Sequence, residues 1–399
     1  MLILTRMKKG LVVFGKVMMC LFVFLVVGIG GIWIYVAIPL RAEVGGFYLG
    51  EDTCFDQVRD MAGASIRMRG CELRVLVLTD THFLAIPVGV DGRTRRLIRD
   101  LVKETEPELI LMLGDNVATF FNHSASRQMI RFMDGFGIPW APLFGNHDHH
   151  GKATSEYLAQ MLERESTYSL FRWGPNNVGL PGNYFINVER VVGSELVDDE
   201  VIDVVEVVHT FFMMSTKESP WFQWRYTPYT LGQVAWYEWA VRGIANRYNG
   251  GEVVPSTLML HKPLPVFCEA WDWAVENSLV VWGDNREGIW AADYDNGLFR
   301  MVYELGSTRY VIAGHDHIND FKIYFQGEID GVEMSRVIRL SYALASNRNL
   351  GVFGSYGHIA GGTLLRVGVC GTVVQEGLRL RGGVLVWDNF EGLATKNRG

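Results

Sequence analysis

Short apolar runs alternate with stretches of helical spacing in the first half of the chain. Leu76–Leu78, Leu109–Leu113 and Trp140–Phe144 are apolar runs of strand length, so each is predicted to be a buried strand. Between them, residues 93–104 and 126–134 carry apolar side chains three and four positions apart, which predicts two helices. This alternation predicts parallel strands joined by crossover helices.

The second half of the chain is richer in strand patterns. One amphipathic helix is predicted at residues 231–248, and the acidic stretch Glu195–Asp203 is predicted to be a surface loop. Strands are predicted at Val204–Met213, Leu258–His261 and Tyr310–Ala313, and further glycine-punctuated strands are predicted through residues 361–387. The whole pattern predicts an α/β fold.

The N-terminus has a different pattern. Residues 17–40 contain no charged side chain, and about 20 apolar residues in a helix suffice to cross a bilayer. Basic residues, Arg6 and Lys16 among them, precede this run, so the positive-inside rule places residues 1–16 in the cytosol. We predict a signal anchor, and therefore a single-pass membrane protein whose large domain is lumenal or extracellular. A cleaved signal peptide, which would give a secreted protein, and a buried globular helix are the alternatives.

The rest of the chain divides into a stalk or lead-in at residues 41–72, one domain at 73–390 and a tail at 391–399. With 49% apolar residues, the 399-residue chain can bury a sizeable core. Its net charge is −7 and no long basic tract occurs, so nucleic-acid binding is not expected. An anionic ligand would need a local positive source, which bound metal ions can supply.

The cysteines and one sequon indicate which covalent modifications an exported domain could carry. Four cysteines in a large domain are not a disulfide framework. Cys54 and Cys71 precede the first core strand; a bridge between them and two buried thiols are alternative predictions. Asn122 begins an Asn-His-Ser sequon and would accept a glycan if the domain is lumenal.

Polar residues follow the predicted strands. Asp80 and His82 lie two apart, so an extended backbone points both to the same side. A carboxylate or imidazole at one such position is a weak signal alone, and a lone His261 would usually be structural. Together, however, these residues fall at the carboxyl ends of strands, where open α/β sheets bind ligands. The set comprises Asp80, His82, Asp115, Asn146, His147, Asp148, His261, His315 and His317.

The chemistry of this set indicates metal binding. Imidazole nitrogens mixed with hard oxygen ligands suit Zn, Mn or Fe ions. The number of ligands fits two ions, provided that at least one carboxylate is shared between them.

The order Asp-X-His, Gly-Asp-Asn, Gly-Asn-His-Asp, His and Gly-His-Asp-His resembles the calcineurin-like metallophosphoesterase family. Its details are similar to the short purple-acid-phosphatase-like branch, in which the first motif continues into Phe, as at Phe83. The isolated histidine opens a His-X-Pro-Leu-Pro segment, as at His261–Pro265, and the last motif runs on as in Gly314–Phe321. The resemblance covers about residues 72–370.

The resemblance implies a role for each residue. Asp80, His82 and His317 would hold the first metal ion, Asn146, His261 and His315 would hold the second, and Asp115 would bridge the two. His147 would be the general acid or a phosphate contact, Asp148 would orient its ring, and His358 would contact the substrate from a glycine-rich loop. One position departs from true purple acid phosphatases: Ala118 stands where their tyrosine ligand is found, which places the purple ferric–phenolate chemistry in doubt.

The implied fold has two packed mixed β-sheets flanked by helices, a four-layer αββα sandwich. The implied activity is hydrolysis of phosphate esters, in particular monoesters, by water activated between two metal ions. The substrate would be a phosphorylated small molecule or protein. A phosphodiesterase or nucleotidase with the same site is one alternative, and a non-catalytic metal-binding interaction protein on the same fold is another.

Overall fold

The computed structural model describes residues 18–19, 38–85, 89–197, 200–216, 227–279, 282–329, 331–348 and 360–388. Within these ranges no helix is long and apolar enough to cross a membrane. Most of the predicted span at 17–40 lies outside them, and so does His358.

The segment predicted as a stalk or lead-in contains regular structure. Helix α1 (Phe55–Ala62) is followed directly by strand β1 (Gly63–Arg67). Strand β1 pairs in parallel with a later strand, with Gly63 opposite Phe185. Part of the lead-in is therefore built into a sheet. Cys54 and Cys71 are both exposed free thiols, so the structure contains no bridge between them.

A six-stranded sheet contains the strand–helix alternation predicted for the first half. Its parallel strands are β2 (Glu72–Leu78), β3 (Leu109–Leu113) and β4 (Trp140–Leu143), connected through α2 (Gly92–Thr105) and α3 (Asn122–Asp134). All side chains of β3 and β4 are buried, as expected for parallel strands covered on both faces. Antiparallel strands β13 (Gly361–Gly368), β14 (Val373–Arg381) and β15 (Val384–Asp388) extend the sheet beyond β2.

A seven-stranded sheet contains most of the remaining strands. In spatial order these are β1, β5 (Asn183–Val197), β6 (Glu200–Met214), β7 (Ser256–Leu260), β8 (Thr308–Ala313), β12 (Ile338–Tyr342) and β9 (Lys322–Phe325). Strands β6, β7, β8 and β12 run parallel to one another, so their carboxyl ends lie at one edge. A separate two-stranded ribbon pairs β10 (Glu328–Ile329) with β11 (Val332–Glu333).

The prediction of a surface loop at Glu195–Asp203 is wrong. Strands β5 and β6 extend into this stretch up to residues 197 and 200 and pair antiparallel there, with Glu195 opposite Ile202. β-Branched residues on both strands, such as Val191 and Val205, favour extended backbone. Cross-strand pairing therefore outweighs the high density of charge.

Helices cover both sheets. Helix α2 contacts β2 and β13 of the six-stranded sheet, whereas α5 (Leu231–Tyr248), α6 (Val266–Glu276) and α7 (Leu298–Leu305) contact strands of the seven-stranded sheet. Helix α4 (Ser155–Glu165) packs on α3. The predicted helix at 231–248 is present with those bounds, and it begins with a capping box between Thr230 and Gln233.

Hydrogen bonds join the two sheets. The Tyr184 hydroxyl donates to the Pro142 carbonyl at 2.7 Å, and Ser341 Oγ donates to Gln375 Oε1 at 2.9 Å. The chain is therefore a mixed α/β protein with two multi-stranded sheets flanked by helices, as predicted. This packing brings the carboxyl ends of strands from both sheets together.

Candidate metal centre

The predicted ligands lie in loops directly after strands of both sheets. Asp80, Asp115 and Asn146 follow β2, β3 and β4, while His261 and His315 follow β7 and β8. The backbone is strained there, because four of the predicted ligands adopt left-handed φ values. These residues are Asp80 (54°), His82 (46°), Asp115 (49°) and His315 (72°). Such conformations cost about 1–3 kcal/mol each and concentrate at functional sites.

Two motif glycines allow the strand-end loops to approach closely. A Cβ on Gly114 would lie 2.6 Å from the Gly145 backbone nitrogen, and one on Gly145 would lie 2.3 Å from Asp115 Oδ1. Both would also lie 2.8 Å from the His261 ring. No larger residue fits at either position, so the glycines bring Asp115 and His261 together.

The first candidate metal-binding group consists of Asp80, His82 and His317, whose ligand atoms lie within 4.8 Å of one another. Asp80 Oδ1 is 3.7 Å from His82 Nε2 and 3.5 Å from His317 Nε2. Thr79 Oγ1 and the His315 backbone N–H both donate to Asp80 Oδ2, at 2.7 and 3.0 Å. Because these donors engage Oδ2, Oδ1 faces the two imidazoles.

The second group consists of Asp115, His261 and His315 within the same limit. His261 Nε2 lies 3.2 Å from Asp115 Oδ1 and 3.3 Å from His315 Nδ1. Its other ring nitrogen, Nδ1, lies 2.7 Å from the Leu113 carbonyl oxygen. A carbonyl oxygen only accepts, so Nδ1 carries the proton and Nε2 is left as a metal-ligating atom.

Asp115 lies between the two groups. Its Oδ1 is near His261, while its Oδ2 is 3.9 Å from His82 Nε2 of the first group. The His147 backbone N–H also donates to Oδ1 at 2.7 Å, which fixes the carboxylate. This carboxylate therefore lies within reach of both groups, where it could be shared between them.

The charges of the centre are strongly coupled. Burial disfavours ionisation of Asp80 and Asp115, but the facing imidazoles outweigh it and hold the pKa of each carboxyl well below its usual range. Burial acts against the charged form of His261, yet Asp115 raises its pKa to about 9. Burial and the charge of His261 depress the pKa of His315. The carboxylates are thus anionic and favour the protonated form of the facing His261, whose proton a bound metal ion would displace.

Two buried oxygens test whether these residues fit metal ions. Asp80 Oδ1 and Asn146 Oδ1 are buried, and neither has a hydrogen-bond partner among the described residues. A buried oxygen without a partner is costly unless an ion or a water satisfies it. One of these atoms belongs to each predicted ligand set. Donor chemistry and orphaned oxygens both fit two metal ions.

His147 lies beside the centre and is more open to solvent than His82, His261 and His317. Its side chain is 25% exposed, and its Nε2 is 3.8 Å from Asp115 Oδ2. Burial lowers the pKa of His147 to about 4, against the opposing charge of Asp115. The negative charge of a phosphate ester beside the ring would raise that pKa.

Asp148 is buried behind this motif. One oxygen accepts from the Val117 N–H at 3.0 Å, and the other accepts from the Gly145 N–H at 2.8 Å and Asn116 Nδ2 at 3.2 Å. Burial, followed by the Asp115 charge, raises the pKa of Asp148 to about 8. These contacts join the loops after β3 and β4. That Asp148 orients the His147 ring stays a prediction.

Glycosylation of Asn122 does not fit this structure. Asn122 is fully buried at the start of α3, and its Nδ2 donates to the carbonyls of Asp148 and Ala153 at 3.0 and 2.9 Å. A glycan on Nδ2 would break both contacts. Asn122 is therefore a structural residue that ties the His147 loop to the helix.

Residues 282–290, to which the sequence analysis assigned no role, support the loop after β8 that carries His315 and His317. Residues 282–290 run antiparallel to residues 316–322, starting from a bridge between Trp282 and Lys322. Asn319 Oδ1 accepts from the Arg286 N–H at 2.8 Å, and Asp320 pairs with Arg286 at 2.6 Å. We call residues 282–290 the strap. In the sequence, the strap was signalled only by its partners Asn319 and Asp320, which belong to the motif Gly314–Phe321.

The chain is an α/β protein with a candidate dinuclear metal site. Two His/Asp groups adjoin one another at the strand ends of the two sheets, and the Asp115 carboxylate lies close to both. Residues 73–319 match the family described as calcineurin-like phosphoesterase. The chain belongs to the calcineurin-like phosphoesterase family.

Several curated proteins are similar to this chain at 24% identity. "Probable inactive purple acid phosphatase 14" of Arabidopsis thaliana aligns over 307 residues, 70% of this chain and 74% of its own length. "Probable inactive purple acid phosphatase 28" of the same plant aligns over 251 residues, 58% of each protein. "Phosphatase DCR2" of Saccharomyces cerevisiae aligns over 249 residues, 58% of this chain but 39% of its own length. The chain thus spans 39–74% of these relatives' lengths.

Proposed function

We propose that this protein hydrolyses phosphate monoesters with two metal ions, drawn from Fe, Mn and Zn. The single observation that carries the proposal is the position of Asp115, whose oxygens face His261 in one group and His82 in the other. Asp80, His82 and His317 would hold one ion, Asn146, His261 and His315 the other, and Asp115 both. When bound, such a pair of ions activates water and neutralises charge on the phosphate.

His147 is assigned the proton transfer to the leaving group. It is the half-buried imidazole beside Asp115, with part of its ring open to solvent, so an ester can reach it. Its backbone N–H is anchored on Asp115 Oδ1, which ties the position of the ring to the metal centre. Protonation of the leaving oxygen by a placed imidazole contributes about 10²–10⁴-fold in rate.

The names of the plant relatives raise the alternative of a protein without catalysis. In this chain all eight residues assigned to the two ions and to proton transfer are present, and those within each His/Asp group converge. Ala118, which replaces the tyrosine ligand, removes a charge-transfer phenolate but no atom that the proposed reaction uses. The proposal is therefore a colourless, active phosphoesterase.

The test is metal analysis of the purified protein, followed by assays on a phosphomonoester, a phosphodiester and a phosphoprotein. The proposal is supported if the wild type hydrolyses the monoester and the His261→Ala variant does not. Asp91→Asn is a matched control, because Asp91 is also buried but accepts from the backbone of Leu84 and Ala85, outside the metal centre. Two bound ions without hydrolysis of any ester would favour the non-catalytic alternative.

A further inference from the structure

The ring of His147 makes edge-to-face contacts with two other imidazoles. Its centroid lies 5.3 Å from that of His82, at an interplanar angle of 64°, and 5.2 Å from that of His150, at 84°. His82 is a predicted metal ligand, whereas no role has been assigned to His150. Aromatic pairs prefer edge-to-face geometry at centroid separations of about 4.5–7 Å, so both contacts favour one orientation of the His147 ring.

The backbone holds His150 in a fixed place beside His147. The His150 N–H donates to the His147 carbonyl at 3.0 Å, which closes a turn between the two residues. The segment is anchored on both sides of this turn: the His147 N–H donates to Asp115 Oδ1 at 2.7 Å, and the Ala153 N–H donates to Asn122 Oδ1 at 2.9 Å. The position of His150 is therefore tied to the metal centre.

The carboxylate of Asp148, which the family resemblance implies as the group that orients this ring, is engaged elsewhere. Its oxygens accept from backbone N–H groups and a side-chain amide in the loops after β3 and β4. The His147 side chain is 25% exposed, so a ring restrained by His82 alone could turn toward solvent. His150 is partly buried and supplies the second contact that opposes such a turn.

We propose that His150 is a positioning residue for proton transfer, because its ring holds the His147 ring in the orientation that faces the leaving group. The inference rests on the proposed function, since His150 acts only through His147. An edge-to-face contact of this kind favours one ring orientation about 2- to 12-fold. Loss of that orientation slows the step that needs the proton.

The experiment compares His150→Ala and His150→Phe on an alkyl phosphate and on a nitrophenyl phosphate. His150→Ala should lower kcat on the alkyl phosphate about fivefold and leave kcat on the nitrophenyl phosphate within about twofold, because only the poor leaving group needs the proton. His150→Phe keeps a ring without nitrogens, so it should keep the wild-type ratio of the two rates. If His150→Phe loses as much as His150→Ala, the imidazole nitrogens act directly and the inference is wrong.

A double-mutant cycle shows whether His150 acts through His147. In the His147→Ala background, His150→Ala should cause no further loss on the alkyl phosphate, and an undiminished loss there overturns the inference. His149→Ala is the matched control: this imidazole lies in the same turn, but its Nε2 is 3.1 Å from the Thr216 carbonyl oxygen and its ring packs on Phe144. It should leave the ratio of the two rates unchanged, and a change equal to that in His150→Ala indicates general disturbance of the turn and also overturns the inference.

Crystal structures of the zinc-loaded protein and its variants separate this inference from the proposed function. His147 should have one ring orientation in the wild type and in His150→Phe, and more than one in His150→Ala. A single, unchanged orientation in His150→Ala overturns the inference whatever the activity. If the wild type hydrolyses no phosphate ester, the proposed function fails, and the orientation of the His147 ring alone decides on the role of His150.

Discussion

Replacement of Asp115 by Asn should impair both metal-binding groups at once. The amide has the shape of the carboxylate, so its Oδ1 can still accept the His147 N–H and the loop should keep its fold. It lacks the negative charge that a ligand shared by two cations supplies. His82→Ala, in contrast, removes a ligand from the first group alone.

The magnitude follows from linkage between binding and folding. An ion at about 100 times its dissociation constant stabilises the folded state by about 2.7 kcal/mol, so two ions add about 5 kcal/mol if they bind independently. Asp115→Asn should lose nearly all of this metal-dependent increment. His82→Ala should lose roughly half, because the Asp115, His261 and His315 group keeps its three ligands.

The assay is urea unfolding of each variant with and without added Mn²⁺, together with elemental analysis after gel filtration. Asp91→Asn serves as the control for loss of a buried carboxylate outside the centre, and it should keep the full metal increment. If Asp115→Asn retains two tightly bound ions, or if its metal-dependent stabilisation equals that of His82→Ala, Asp115 is not a shared ligand.

Four further predictions concern colour, proton transfer, acid stability and topology. With Ala118 at the tyrosine-ligand position, iron-loaded protein should show no intense visible charge-transfer band, and a purple sample would reveal another phenolate ligand. His147→Ala should slow an alkyl phosphate at least about tenfold more than a nitrophenyl phosphate while keeping its metal, and equal losses would indicate phosphate positioning. Burial lowers the pKa of His209 to about 3 from 6.5, so between these values the unfolded chain binds the extra proton and stability falls as pH falls. In urea unfolding, the wild type's free energy of unfolding should fall by up to about 1.4 kcal/mol per pH unit from this histidine. The fall should be shallower in His209→Gln. If residues 17–40 are the predicted anchor, the domain should resist protease in sealed vesicles, and digestion from the cytosolic side would contradict the predicted topology.

The positions of the candidate ligands were predictable because they depend on local pattern. An apolar run followed by Asp80 or Asp115 indicates both a buried strand and a polar residue at its carboxyl end. Parallel pairing of β2, β3 and β4 then brings these residues to one edge, and this was confirmed. The helix at 231–248 was predictable for a similar reason, since its capping box marks its first turn.

Features that depend on contacts distant in sequence could not be predicted. The strap has no apolar periodicity, and its bond from the Arg286 N–H to Asn319 joins residues 33 positions apart. Asn122 formed a sequon, but only the fold shows that its amide is buried against Ala153. The pairing of Glu195 with Ile202 was missed because strand pairing, rather than residue polarity, decides the backbone conformation there.

Backbone strain bears on whether the centre is functional. Four of the predicted metal ligands hold left-handed φ values, and together these cost about 4–12 kcal/mol. That range is comparable to the whole net stability of a typical domain, about 5–15 kcal/mol. Glycine at Asp80 or His315 would relieve strain in a chain that had no use for the side chain. Coordination by bound metal ions would offset part of this cost, so the strained backbone fits the proposed metal centre.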